Sequence, residues 1–189
     1  QNAITVDDVM KSSMVASPLK LLDCSPITDG AAAVILASED FARKIIDVPV
    51  WIAGSAQASD TLALHDRESL TSLKATKVAA QEAYRQADVK PSDIKVAEVH
   101  DCFSIAEIVA LEDLGFFKKV EGGKAVQDNQ TYLNSKISIN TSGGLKACGH
   151  PVGATGIKQI AELTMQLRNE AAGRQVSGAE VGLAQNVGG

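Results

Sequence analysis

Short apolar runs alternate with helically spaced segments along most of this chain. That alternation limits it to layered α/β folds with a sheet that is at least partly parallel. Residues 31–36, which follow the turn signal Thr28-Asp29-Gly30, read as a buried strand, and residues 48–55 as a second. A short helix is predicted over 7–14 and another from Ser38 to about Ile46, with Glu39 and Asp40 in its first turn. Residues 70–87 carry a helical stripe through Leu73, Ala80, Tyr84 and Ala87, closed near Pro91. A strand over 94–99, a helix over 101–114 ended by Gly115, and a long polar loop over 116–136 follow. The last predicted elements are a strand at 137–139, a glycine-rich turn at 140–151, a helix at 153–169 and a strand at 181–185.

Composition narrows the function classes. The chain has 189 residues, 45% of them hydrophobic, enough for one domain or one and a piece and too apolar for disorder. No apolar run approaches the ~20 residues a membrane span needs, and no secretory signal pattern is visible. A net charge of −5 argues against a nucleic-acid partner. Three cysteines, an odd number, predict reduced thiols in a cytoplasmic compartment. The start at Gln1 without Met, and the end on Gly188-Gly189 just after an apolar stretch, predict a piece truncated at both ends.

Two strand-to-helix junctions hold the reactive side chains, where open α/β sheets bind ligands. One is Val99-His100-Asp101-Cys102-Phe103; the other runs from Gly143-Gly144 through Cys148-Gly149-His150-Pro151 to Gly156. Pro151 biases His150 to an extended backbone, so its ring can project from the turn. A following helix start favours the neutral imidazole that a proton acceptor needs. The bland alternative is a turn-capping histidine, and the glycine density weighs against it. Cys102 reads equally well as a thiol near a helix start or as a small buried residue. His100-x-Cys102 and Cys148-x-His150 offer four zinc-type ligands, but one intervening residue fits zinc knuckles poorly, so no metal is expected. Cys24, before Ser25-Pro26, reads as structural.

The run from Asn140 to Gly156 resembles the histidine motif of thiolases, and Cys24-Ser25-Pro26-Ile27-Thr28-Asp29-Gly30 resembles the segment that closes their N-terminal half. His100-Asp101-Cys102-Phe103 is similar to the sterol-carrier-protein type and its archaeal acetyl-CoA acetyltransferase relatives; most other thiolases have Asn-Glu-Ala-Phe there. The resemblance implies a layered α-β-α half with a mixed, mainly parallel sheet. Residues 1–47 would be the tail of the N-terminal half, and 48–189 the C-terminal domain lacking its last strand. It implies an acyltransferase catalysing Claisen condensation of acetyl-CoA to acetoacetyl-CoA and the reverse thiolysis. The nucleophilic cysteine would lie in the other half, leaving this piece alone inactive.

The resemblance also assigns residues. His150 would activate the nucleophile, and Cys102 would take the acid/base role, its thiol lowered toward neutrality by a helix start and by His100 or His150. His100 would replace the Asn that holds a water in an oxyanion site, and Gly188 would donate a backbone N–H to the second oxyanion hole. Asn186 stands where most thiolases have a second cysteine. Ser25 would lie near the pantetheine arm, with Gly143 and Gly144 lining the substrate site. No cofactor beyond coenzyme A thioester substrates is implied. A homodimer or homotetramer and a complex with hydroxymethylglutaryl-CoA synthase and a small zinc-ribbon/OB-fold protein are implied. Thiolysis of longer 3-oxoacyl-CoA, and a non-catalytic acyl-CoA-binding scaffold, are the alternatives.

Overall fold

The computed structural model describes residues 3–188. Gln1, Asn2 and Gly189, on which the expectation of cut ends partly rests, lie outside the described residues. In chain order the regular elements are α1 (Val6–Lys11), β1 (Met14–Ala16), β2 (Leu19–Lys20), α2 (Glu39–Ile45), α3 (Lys74–Ala87), β3 (Val96–Glu98), α4 (Ser104–Asp113), α5 (Gly122–Gln127), β4 (Ser138–Ile139), α6 (Gly144–Cys148), α7 (Thr155–Leu167) and β5 (Gly182–Ala184).

Among the described residues, β1 and β2 pair as a small antiparallel hairpin, and the main sheet has the order β4-β3-β5 with both pairings parallel. Side chains alternate across β3. Ala97, with Val99 just beyond the strand, joins Ala110, Leu111, Leu114, Phe116, Phe117, Ala125 and Ile137 on one face. Val96 joins Leu163 and Val176 on the other. Helices α3, α4 and α5 thus cover one side of the sheet and α7 the other, giving the expected α-β-α layering. Gly182 lets α7 sit close, because a Cβ there would press on Leu163 and Val96.

Within the helical layer on the first face, polar contacts join α3 to α4 at both ends. The buried Asp113 carboxylate accepts from Ser72 Oγ at 2.8 Å and from the Leu73 N–H at 2.6 Å, at the start of α3. At its other end the Tyr84 hydroxyl donates to the Leu114 carbonyl at 2.9 Å. Burial pushes the Tyr84 phenol far above its ordinary range, so it stays a donor at all working pH. Tyr84→Phe is expected to lower unfolding free energy by about 0.5–1.5 kcal/mol. An unchanged denaturant midpoint would show the bond to be idle.

Two expectations are corrected. Residues 31–36 and 48–55 form no strand, and no residue between 3 and 73 is buried. Ile35 is 92% exposed, and Leu36 and Ile52 are also open. A strand needs a hydrogen-bonding neighbour as well as an apolar face, and among the described residues no strand pairs with these segments. The predicted loop at 116–136 also contains α5. Gly122 allows the close packing: its N–H donates to Glu112 Oε1 at 3.1 Å, and a Cβ there would crowd the Ile108 carbonyl. The β1–β2 hairpin was not predicted, and the predicted glycine-rich turn at 140–151 contains α6; the other helices and strands fall within a few residues of their predicted bounds.

Candidate active site

The chain steps from β3 to β4 on one side, and β5 then returns to the other side of β3. Connections therefore leave on opposite faces, and the crevice of the sheet opens at the carboxyl ends of β3 and β5. His100 follows β3, Asn186 follows β5, and His150 lies on the turn that leads into α7.

The two imidazoles meet there. Their ring centroids are 5.0 Å apart and the rings are nearly perpendicular, at 85°. Each Nδ1 has a protein partner. His100 Nδ1 is hydrogen-bonded to Asn186 Oδ1. His150 Nδ1 is 2.7 Å from Thr155 Oγ1. The His100 N–H donates to Gln185 Oε1 at 3.0 Å, which fixes the turn to the end of β5. Burial lowers the His100 pKa, although the Asn186 bond opposes this. His100 is accordingly neutral near pH 7.

Residues 24–27 are laid between the two turns. Cys24 bridges Phe103 and Ile27 bridges His150. The Ser25 N–H donates to the Cys102 carbonyl at 2.9 Å, and the His150 N–H to the Pro26 carbonyl at 3.0 Å. Lys146 ties the same ribbon down, donating Nζ to the carbonyls of Leu22 and Cys24. Gly149, with φ +86°, brings Thr28 against its Cα; any Cβ would overlap that side chain. The three sequence motifs thus converge on one place, and Cys24 contributes its backbone to the ribbon.

A second layer holds the turns. The buried Asp101 carboxylate accepts from the N–H groups of Leu145 at 2.7 Å and Lys146 at 3.3 Å, at the start of α6. Asn140 accepts the Val99 N–H at 2.8 Å and donates to Glu107 Oε2 at 2.9 Å. Burial, with the Asp101 and Glu98 carboxylates adding to it, pushes Glu107 up to about 7. Glu98, 1% exposed within β3, accepts from Ser142 Oγ at 2.5 Å and from its N–H at 3.1 Å. Arg174 and Lys158 supply the nearby positive charge, on Glu162 at 2.8 Å and on the Gly144 carbonyl at 3.1 Å.

The sequence candidates fare differently. His100 and His150, read from two separate junctions, come together. Cys102 lies half-buried between His100 and α4, but one residue before the helix N-cap Phe103. Burial pushes its thiol pKa up, the Phe103 N–H opposes this, and Asp101 adds to the rise. The expectation of a lowered thiol is corrected for this chain. Gly188 is exposed beyond Asn186, and a Cβ there would meet nothing within 4 Å. Gly143 caps α6 with φ +96°, while Gly144 packs on the Asp101 carboxylate. Ser25 contributes its backbone to the ribbon. Among the described residues, no three His, Cys, Asp or Glu side chains are grouped to hold a metal ion.

Sequence reading gave no role to Thr155, Asn140 or Glu107, and took Asn186 only as a substitute for cysteine. Thr155 carried a usable signal, since a hydroxyl in the first turn of the helix after His-Pro can reach back to the ring. The Asn186 contact spans 86 positions and leaves no local trace.

A parallel sheet between helix layers, with an imidazole pair at its switch point, defines a layered α/β domain with a candidate site at the carboxyl ends of its strands. The thiolase C-terminal domain-like family model matches residues 56–189, and the chain belongs to that family. It is 58% identical over 186 residues to an acetyl-CoA acetyltransferase of Methanothermobacter thermautotrophicus, covering 98% of this chain and 49% of that protein. It is 41% identical over 193 residues to sterol carrier protein 2 of Oryctolagus cuniculus, covering 100% of this chain and 35% of that protein. The solved structure of an Ltp2–ChsH2(DUF35) aldolase superposes with a TM-score of 0.85 at 26% identity, over 96% of this chain and 47% of that one. The chain spans about half the length of the archaeal relative. No described helix is long and apolar enough to cross a membrane.

Proposed function

We propose that this chain is the C-terminal part of an acetyl-CoA C-acetyltransferase, which joins two acetyl-CoA into acetoacetyl-CoA and CoA and runs the reverse thiolysis. The observation that carries this reading is the pair of perpendicular imidazoles at 5.0 Å, built from two separate motifs at the sheet's switch point. Condensation needs a nucleophile, a base and donors for two developing oxyanions. His150 is the base that takes the nucleophile's proton; the nucleophile belongs to the other half, so the piece alone is inactive. His100 and the Gly188 N–H address the oxyanions, and the ribbon at Ser25 borders the acyl-CoA arm. The side chains of Ile35, Leu36 and Ile52, exposed here, support covering of this face by another part of the protein or a second copy. Assembly as a homodimer or homotetramer, association with hydroxymethylglutaryl-CoA synthase and a cytoplasmic location belong to the same reading.

The raised thiol refines the role of Cys102. A protonated thiol is an acid first. In thiolysis the cleaved C–C bond leaves an enolate, and Cys102 Sγ–H gives it the proton that completes acetyl-CoA. The thiolate then left is the base for the reverse step. The test is acetoacetyl-CoA cleavage by the full-length protein with and without Cys102→Ala. A loss of about 100-fold is expected. Full activity in the variant would remove Cys102 from the acid/base role, and absence of turnover in both would overturn the thiolase reading.

A further inference from the structure

We propose that Thr155 is a positioning residue that fixes the His150 ring with its proton on Nδ1 and leaves Nε2 as the basic nitrogen. This rests on the reading of His150 as the proton acceptor of an acyl transfer. Thr155 is 1% exposed, at the first position of α7. Its Oγ1 has two partners in reach: His150 Nδ1 at 2.7 Å and the Pro151 carbonyl at 3.2 Å. A hydroxyl has one proton to give. The carbonyl oxygen can only accept. When the hydroxyl proton points to Pro151, Oγ1 offers its lone pairs to the ring, and Nδ1 must be the donor.

The charged state of the ring strengthens the assignment. Once Nε2 has taken a proton from the nucleophile, both ring nitrogens are N–H groups. Nδ1–H then needs an acceptor, and Oγ1 is the partner already in place. The chain Nδ1–H to Oγ1–H to O=C serves the neutral base and the imidazolium alike, so no hydroxyl rotation accompanies proton transfer. No proton is lost or gained along it: one moves from nucleophile to Nε2 and later onward from Nε2. Unlike a carboxylate, Thr155 is a neutral partner, so it orients the ring without holding the proton on it. The nearest carboxylate in the facing turn, Asp101, is turned to the start of α6. Helical threonines often bond back to the carbonyl four positions earlier. Complete burial and the 2.7 Å contact to a ring nitrogen distinguish this one.

The test uses the full-length protein carrying 15N-labelled histidine. This chain contributes only three histidines, so the His150 ring signals are assigned with His150→Gln. The side-chain 15N shifts of neutral His150 report which nitrogen carries the proton, independently of turnover. The expected result is a protonated Nδ1 in the wild type and in Thr155→Ser, and a mixture of tautomers in Thr155→Val. In acetoacetyl-CoA cleavage, kcat is expected to fall about 10- to 100-fold in Thr155→Val with KM within about two-fold, and to recover in Thr155→Ser. A wild-type ring protonated on Nε2, or a Thr155→Val protein with unchanged tautomer and kcat, overturns the proposal. If the wild type cleaves no acyl-CoA, the thiolase reading fails by itself, and the tautomer measurement still decides the placement of Thr155.

Discussion

His150→Asn in the full-length protein is expected to lower acetoacetyl-CoA cleavage by about 10³- to 10⁴-fold, the upper range for loss of a positioned acid or base. Asparagine keeps a polar group beside Thr155 and fills most of the ring's volume, so packing changes little. It has no nitrogen that accepts a proton near pH 7. The nucleophile, without its base, reverts to an ordinary thiol of pKa about 8.5. Its alkylation at pH 7 should slow in the same variant, which separates a lost base from a lost substrate contact. His100 offers no substitute. Its Nδ1 is taken by Asn186, and burial lowers its pKa. Retention of a tenth of the wild-type rate would show that proton transfer does not pass through His150.

Residues 94–188 were largely legible in the sequence because their elements satisfy one another. The strand Val96-Ala97-Glu98 finds parallel neighbours on both sides, and the stripe of Tyr84 and Ala80 finds α4. Local pattern and tertiary partner agree there. Residues 31–36 and 48–55 carry the same apolar density without partners in this chain, so their strand signal has nothing to pair with. The motif histidines were legible because their neighbours demand unusual backbones: Pro151 after one, a sharp turn to a helix after the other. Their long-range support was not. Asn186 and Gln185 reach the first histidine turn from the far end of the chain, and Asn140 links Val99 to Glu107 across 41 and 33 positions. The direction of the Cys102 thiol's pKa escapes a local reading for a related reason. A helix start was expected to stabilise the thiolate, whereas desolvation and Asp101 decide the direction.

Gly144→Ala is expected to destabilise the domain by about 3–5 kcal/mol, the largest stability effect of a single methyl in this site. Two independent costs contribute. The backbone sits at φ +60°, where a Cβ costs about 1–2 kcal/mol. The new methyl would also overlap the Asp101 carboxylate, which is 3% exposed and bound to the Leu145 and Lys146 N–H groups. Displacing it breaks charge-assisted bonds worth about 1.5–3 kcal/mol. The two parts can be told apart with a double-mutant cycle in urea unfolding. Asp101→Ser opens the space, so in that background Gly144→Ala should retain only the backbone cost, and the two changes should be non-additive by about the lost bonds. Additive costs would mean that Gly144 and Asp101 do not meet. Because Asp101 also sets the turn that carries His100 and Cys102, the single variant is expected to lose catalytic rate along with stability. The glycine pair that reads as a substrate lining would then act on the chemistry from behind, through the seating of α6 against the first histidine turn.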